Sequence, residues 1–145
     1  MAHRVGIIGL GTVGSRFVEQ FNLHNAFDLV AAWDLDPNAC SPHKDSVKIA
    51  STAGEVIAES DLVYVAVPPI HHETYVRDCL ANNTAIFCEK PLGVDLQTSR
   101  QLAAEVNQSG LPAGVNFVFS SAPSAAELQQ RLNNHELGEV LRADL

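Results

Sequence analysis

Residues 5–14 read VGIIGLGTVG, an apolar run of Val5, Ile7 and Ile8 that breaks into glycines at Gly9, Gly11 and Gly14. A short apolar run without alternation is the pattern of a strand buried on both faces of a parallel sheet. From Thr12 onward Val13, Phe17, Val18, Phe21 and Leu23 recur at largely helical spacing, so a helix follows the strand directly. Strand, glycine turn and helix in that order turn a weak GxGxxG pattern into a specific one. Gly9 permits the tight turn, Gly11 lets the backbone come close to a pyrophosphate, and Gly14 allows helix and strand to pack closely. The helix N-terminus adds free N–H groups and a positive dipole end, so residues Gly9, Leu10, Gly11, Thr12, Val13 and Gly14 form a candidate phosphate cradle.

Outward from this turn, strand and helix signals alternate to the end of the chain. The second strand is DLVAAW at Asp28–Trp33, closed by a turn at Asp34–Pro37, and a short third strand is expected near Val47–Ile49. A helix around Gly54–Glu59 leads to a β-branched fourth strand, LVYVAV at Leu62–Val67, which Pro68 and Pro69 stop. His71–Asn82 is helical in pattern, AIFC at Ala85–Cys88 is a fifth strand, and Asp95 caps a helix that Gly110 ends. Pro112–Phe119 supplies a sixth strand, Ala125–Asn134 a further helix, and Gly138–Leu145 the opening of a seventh strand. The pattern predicts an α/β fold, a doubly wound parallel sheet in the order 3-2-1-4-5-6.

Asp34 stands at the end of the second strand, twenty residues beyond Gly14, where a carboxylate can accept hydrogen bonds from adenosine ribose hydroxyls. No Arg or Lys directly follows it and Asp36 adds negative charge, so NAD is the expected cofactor and NADP the less favoured one. Val67, Pro69 and His72 lie just past the fourth strand, beside the first in the predicted order, where such sheets bind ligands. His72 can contact the cofactor, orient Glu89 or Lys90, or cap its own helix. Lys90, at the carboxyl end of the fifth strand, is the catalytic candidate: a partly buried lysine there faces the nicotinamide, where a hydroxyl or carbonyl exchanges its proton. Glu89 can set its orientation, Pro91 holds its backbone extended, and Asn116 in the sixth strand joins the cofactor-binding set.

The formal charge of −8 and the lack of any Lys/Arg cluster exclude a polyphosphate partner such as nucleic acid. Cys40, Cys79 and Cys88 have no CxxC spacing and read as reduced, buried thiols in a cytoplasmic protein. The N-terminal apolar run is too short and glycine-rich for a spanning helix, so no membrane association is expected. His24, His43 and His71 lack companion ligands at metal-site spacing and are expected at the surface, so no metal is assigned.

Together GLGTVG at Gly9–Gly14, Asp34, VPPIHH at Val67–His72 and CEKP at Cys88–Pro91 resemble the Gfo/Idh/MocA family of NAD(P)-dependent oxidoreductases. The resemblance implies that Glu89 and Lys90 belong to the EKP motif, the lysine assisting proton transfer and helping to position nicotinamide and substrate. His72 then lies near the cofactor, and the substrate is a sugar, polyol or cyclitol hydroxyl, or the matching carbonyl. Two departures accompany it: Ser120 and Ser121 follow NFVF where many relatives carry a bulky polar group, and ELGEVLRADL at Glu136–Leu145 resembles the entry into a second domain. Residues 1–120 are thus expected to form the dinucleotide-binding domain and 121–145 the connecting helix and first strand of that second domain, which in the family supplies substrate contacts and a homo-oligomer interface. A chain of this extent is expected to bind cofactor with little turnover. The competing reading is a non-enzymatic NAD(P)-sensing protein that docks a partner through its exposed last helix and strand.

Overall fold

A computed structural model describes residues 2–139. Five parallel strands, β1 (His3–Ile8), β2 (Phe27–Trp33), β3 (Leu62–Val65), β4 (Ala85–Glu89) and β5 (Ala113–Asn116), form one sheet in the order β2-β1-β3-β4-β5. Between them run helices α1 (Thr12–Leu23), α2 (Pro37–Cys40), α3 (Ala53–Glu59), α4 (His72–Ala81) and α5 (Leu96–Ser109), followed by α6 (Pro123–Asn133). The chain leaves β1 toward β2 on one side and returns to β3 on the other, so the topological switch point lies between the carboxyl ends of β1 and β3.

Both sheet faces are covered around the central strands, which is why the strands read as nearly continuous apolar runs. Successive side chains point to opposite faces. Val63 and Val65 pack with Val56 and Ile57 of α3, Val76 and Cys79 of α4, and Leu102 of α5. Tyr64, between them in sequence, packs on the other face with Val5, Ile7, Val18 and Phe21. Burying each large aliphatic side chain contributes about 1.5–3 kcal/mol, so these two layers are the main source of stability.

The predicted third strand shrinks to a single parallel bridge between Ala32 and Ile49 on the outer edge of β2. Only residues 47–51 lie between the turn at His43–Ser46 and the cap of α3 at Thr52, which leaves no length for a ladder. The predicted order therefore holds with this bridge in the outermost place. The sixth predicted strand is shorter as well, because Phe117 N–H turns back to the Val115 carbonyl and a 3-10 turn follows at Val118–Ser121. α6 begins at Pro123, two residues earlier than its periodicity suggests, since proline is well suited to a first helical turn. It packs against that 3-10 turn and buries none of its residues. The seventh strand expected at Gly138–Leu145 falls almost entirely outside the described residues. No helix among the described residues is long and apolar enough to cross a membrane.

Candidate functional site

The carboxyl ends of β1, β2, β3 and β4 deliver the glycine turn, Asp34, Val67 and Lys90 to one edge of the sheet. Gly9 has φ +102° and a Cβ there would stand 2.6 Å from the Ala66 carbonyl carbon, so both the turn and the backbone just past β3 require glycine. A Cβ on Gly14 would stand 1.9 Å from the Gly9 carbonyl oxygen, the close helix–strand approach expected of it. Gly11 differs: its φ is −66° and a Cβ would meet no protein atom within 4 Å. Nothing inside the protein demands glycine at position 11; the missing side chain opens the turn outward, at the N-terminus of α1, where no side chain caps the helix. The exposed Thr12 and Val13 stand beside it, while Leu10 turns its side chain into the core. An opening of this kind at a free helix N-terminus could hold the pyrophosphate of a dinucleotide.

Asp34 braces the turn. Its Oδ2 accepts the Leu10 N–H at 2.7 Å and its Oδ1 accepts the Asp36 N–H at 2.8 Å. Asp36 in turn accepts from the Asn38 N–H at 2.9 Å and caps α2. A carboxylate has further lone pairs beyond these two bonds, so Asp34 keeps acceptor capacity for ribose hydroxyls. A cavity of about 350 Å³ beside it is walled by Trp33, Val67, Pro68, His71 and Tyr75. The Trp33 and Tyr75 rings meet edge to face at 6.1 Å.

On the other side of the switch point, His72 is fully buried, with Nε2 2.8 Å from the Val67 carbonyl oxygen and Nδ1 2.9 Å from that of Pro91. It straps the exit of β3 to the segment after β4, so its contacts are with backbone on both sides and not with Glu89 or the Lys90 side chain. Pro69 opens the 3-10 turn that leads into α4 and thereby sets where His72 enters. The Lys90–Pro91 peptide bond is cis.

Glu89 belongs to a buried polar cluster. Its Oε1 accepts from the Tyr64 hydroxyl at 2.5 Å and from Asn116 Nδ2 at 2.5 Å, and its Oε2 accepts the Lys90 N–H at 3.2 Å. Sheet register explains the meeting: Glu89 pairs directly with Asn116, while Tyr64 pairs with Phe87 two residues before Glu89, on the same face. Burial, and then the neighbouring Glu89, push the Tyr64 hydroxyl well above the ordinary phenol range. Glu89 and Asn116 are thus occupied with Tyr64, and what they hold in place is the backbone that carries Lys90. Lys90 itself is exposed, not partly buried as expected, because it stands one residue past the strand, and among the described residues its ammonium has no hydrogen bond or ion pair.

Four participants escape a reading of the sequence. Tyr64 hides in an aliphatic strand; its one signal is a hydroxyl on an otherwise hydrocarbon run. His43 and His71 read as plain surface residues, yet His43 Nε2 lies 2.9 Å from Ser15 Oγ on α1, and His71 lines the cavity beside Asp34. Lys44 lines a second cavity next to Asp34 although ten residues separate the two. The cysteines follow expectation: all three are buried and unpaired.

Residues 3–117 match the family described as an oxidoreductase family with an NAD-binding Rossmann fold, GFO_IDH_MocA. A myo-inositol dehydrogenase, Hyg17, of Streptomyces leeuwenhoekii is 26% identical over 140 residues, covering 94% of this chain and 43% of that protein. The fold superimposes with a TM-score of 0.87 on scyllo-inositol dehydrogenase from Lactobacillus casei, whose structure holds NAD(H) and scyllo-inositol; identity is 20% and coverage 96% of this chain and 43% of that one. A 3-ketoreductase from Actinomadura kijaniata, KijD10, solved with NADP and TDP-benzene, gives a TM-score of 0.83 at 20% identity, covering 92% and 43%. The chain thus spans less than half the length of these relatives. With the family match covering residues 3–117, the chain belongs to the Gfo/Idh/MocA oxidoreductases and is an NAD(P)-binding Rossmann domain of that family.

Proposed function

We propose that this chain holds NAD for an oxidoreductase that moves a hydride between nicotinamide and a hydroxyl or carbonyl of a cyclitol or related sugar. The observation that carries the reading is the outward opening at Gly11, set between an uncapped helix N-terminus and a carboxylate at the end of β2. In this arrangement the pyrophosphate rests on the N–H groups of Gly11, Thr12 and Val13, with Gly9 and Gly14 shaping the turn and Leu10 anchoring it to Asp34. Asp34 accepts from the ribose hydroxyls, and the cavity walled by Trp33, Val67 and Tyr75 receives the adenine. Bound nicotinamide supplies the hydride-transfer chemistry.

What the chain's own residues then do is hold and deliver. Lys90, exposed at the crevice, is the group that gives or takes the proton of the substrate oxygen. The Tyr64–Glu89–Asn116 cluster and the His72 strap are positioning devices that keep its backbone in place. The cyclitol assignment is supported by the inositol dehydrogenases among the relatives. Three buried, unpaired thiols accord with a cytoplasmic setting.

The test is a titration of the chain with NADH, followed by nicotinamide fluorescence and thermal melting. Saturable binding is expected, with stability raised by about 2.7 kcal/mol when free NADH exceeds the Kd a hundredfold. Lys90→Ala leaves the Kd within about twofold if the lysine serves chemistry rather than cofactor anchoring. A chain whose melting and fluorescence ignore NADH and NADPH alike would overturn the reading.

A further inference from the structure

Resting on that cofactor site, we infer that Lys44 is its dinucleotide-selectivity residue: its ammonium takes the 2′-phosphate of NADP and so moderates the preference for NAD that Asp34 imposes. Two cavities flank Asp34. The one walled by Trp33, Val67 and Tyr75 has no lysine or arginine among the described residues that line it. The other, of about 370 Å³, is lined by Asp34, Pro37, Cys40, Ile49 and Ser51, and by Lys44, the one cation among the described residues there. A ribose whose hydroxyls lie on Asp34 presents any 2′ substituent beside that carboxylate, and this second cavity is the adjacent space that offers a positive charge.

Lys44 is held there by the segment that carries it. Ser15 Oγ donates to the Leu10 carbonyl at 2.8 Å, and with that hydrogen committed His43 Nε2 supplies the N–H of its 2.9 Å contact with the same oxygen. Asn22 Nδ2 of α1 donates to the Ser46 carbonyl at 3.3 Å. The residues on either side of Lys44 are therefore pinned to the helix that starts at the phosphate-binding turn. Lys44 is exposed and, among the described residues, is paired with no acid, whereas Lys48 nearby is engaged by Glu59 at 2.5 Å. Asp34 is less forbidding to a phosphate than an open carboxylate, since both of its oxygens already accept backbone N–H groups.

The geometry places attraction and repulsion side by side, so the selectivity of the site is a difference of two charge terms. Deleting the lysine charge removes only the attractive one. Lys44→Met keeps the length of the side chain and, among the described residues, breaks no hydrogen bond or ion pair, so its melting temperature is expected to stay that of the parent.

The experiment measures Kd for NADH and NADPH by fluorescence titration on the chain as it stands, on Lys44→Met, on Lys44→Glu and on Lys48→Met as a control. Lys44→Met is expected to raise the ratio of the NADPH to the NADH Kd by about fivefold, Lys44→Glu by more, and Lys48→Met to leave it unchanged. Competition by 2′,5′-ADP against AMP is expected to show the same loss for the 2′-phosphate alone. A ratio in Lys44→Met equal to that of the parent, with both dinucleotides bound, overturns the role of Lys44 and leaves the cofactor reading standing. Binding of neither dinucleotide by the parent overturns both.

Discussion

The three glycines of the turn share a motif but answer to different causes. Gly9 and Gly14 are demanded by the protein itself, through a positive φ and a 1.9 Å clash, whereas Gly11 is demanded by nothing within the fold. Gly14→Ala is therefore expected to cost more than about 2 kcal/mol of stability, because the displaced atom is backbone and cannot rotate away. Gly11→Ala is expected to melt within about 0.5 kcal/mol of the parent, yet to bind NADH at least tenfold more weakly, its methyl standing where the pyrophosphate must come. Melting curves and NADH titrations of the two variants separate folding from function at positions three residues apart; equal melting of both would show that the clash at Gly14 is not real. The same division runs through the polar residues. Asp34 could be read from its distance to the glycines, and Lys90 from its tripeptide. The bond between Glu89 and Tyr64 could not, because it depends on which strands are neighbours and in what register.

At the level of elements, helix ends were the most legible features. Asp95 caps α5 by accepting the Thr98 N–H at 2.7 Å, and Gly110 closes the helix with φ +69°. Asp95→Ala is expected to destabilise the chain by about 1 kcal/mol, read from urea unfolding midpoints at unchanged slope; no loss would mean that α5 contributes its packing without its cap. The Asp95 carboxyl is held below its ordinary range chiefly by that backbone bond, so the contribution of the cap fades as the pH falls through the range of a carboxylate. Strand lengths were the least legible. Val47–Ile49 and Phe117–Phe119 have strand-like composition, but a cap on one side and a turn on the other leave no room for a ladder. β-propensity records fit to a half-buried surface, and such a surface exists only where a neighbouring strand supplies it. α6 is a further case: its periodicity predicts a helix from Ala125, and the helix forms two residues earlier, at Pro123, with none of its residues buried.

For the whole molecule, burial of ionisable groups sets a limit on the alkaline side. Burial pushes the thiols of Cys79 and Cys88 up from 9.0 to about 12, with Asp78 and Glu89 as lesser causes, and raises the Tyr64 hydroxyl too. In the unfolded chain these groups lose protons at their ordinary values while the folded chain retains them. The unfolded state thus binds fewer protons above about pH 9, and stability, full below that pH, falls as pH rises toward 12 at up to about 1.4 kcal/mol per pH unit for each thiol. Urea titrations at pH 8, 9 and 10 check this, and a Cys79→Ala, Cys88→Ala double variant is expected to flatten the slope although it lowers the stability itself; a parent whose stability is level from pH 8 to 10 would show that the thiols are not buried in the folded chain. At this scale the sequence alone determined the α/β alternation, which follows from periodicity along one chain, and the strand order around the glycine turn, which follows from the rule for dinucleotide-binding sheets. Only the tertiary structure decided that Glu89 serves Tyr64 and Asn116, that His72 straps two backbone segments, and that Lys44 comes beside Asp34. Those meetings are contacts across sheet register and folded-back turns, and register and turn closure are set by how the whole core packs, not by the residues that end up touching.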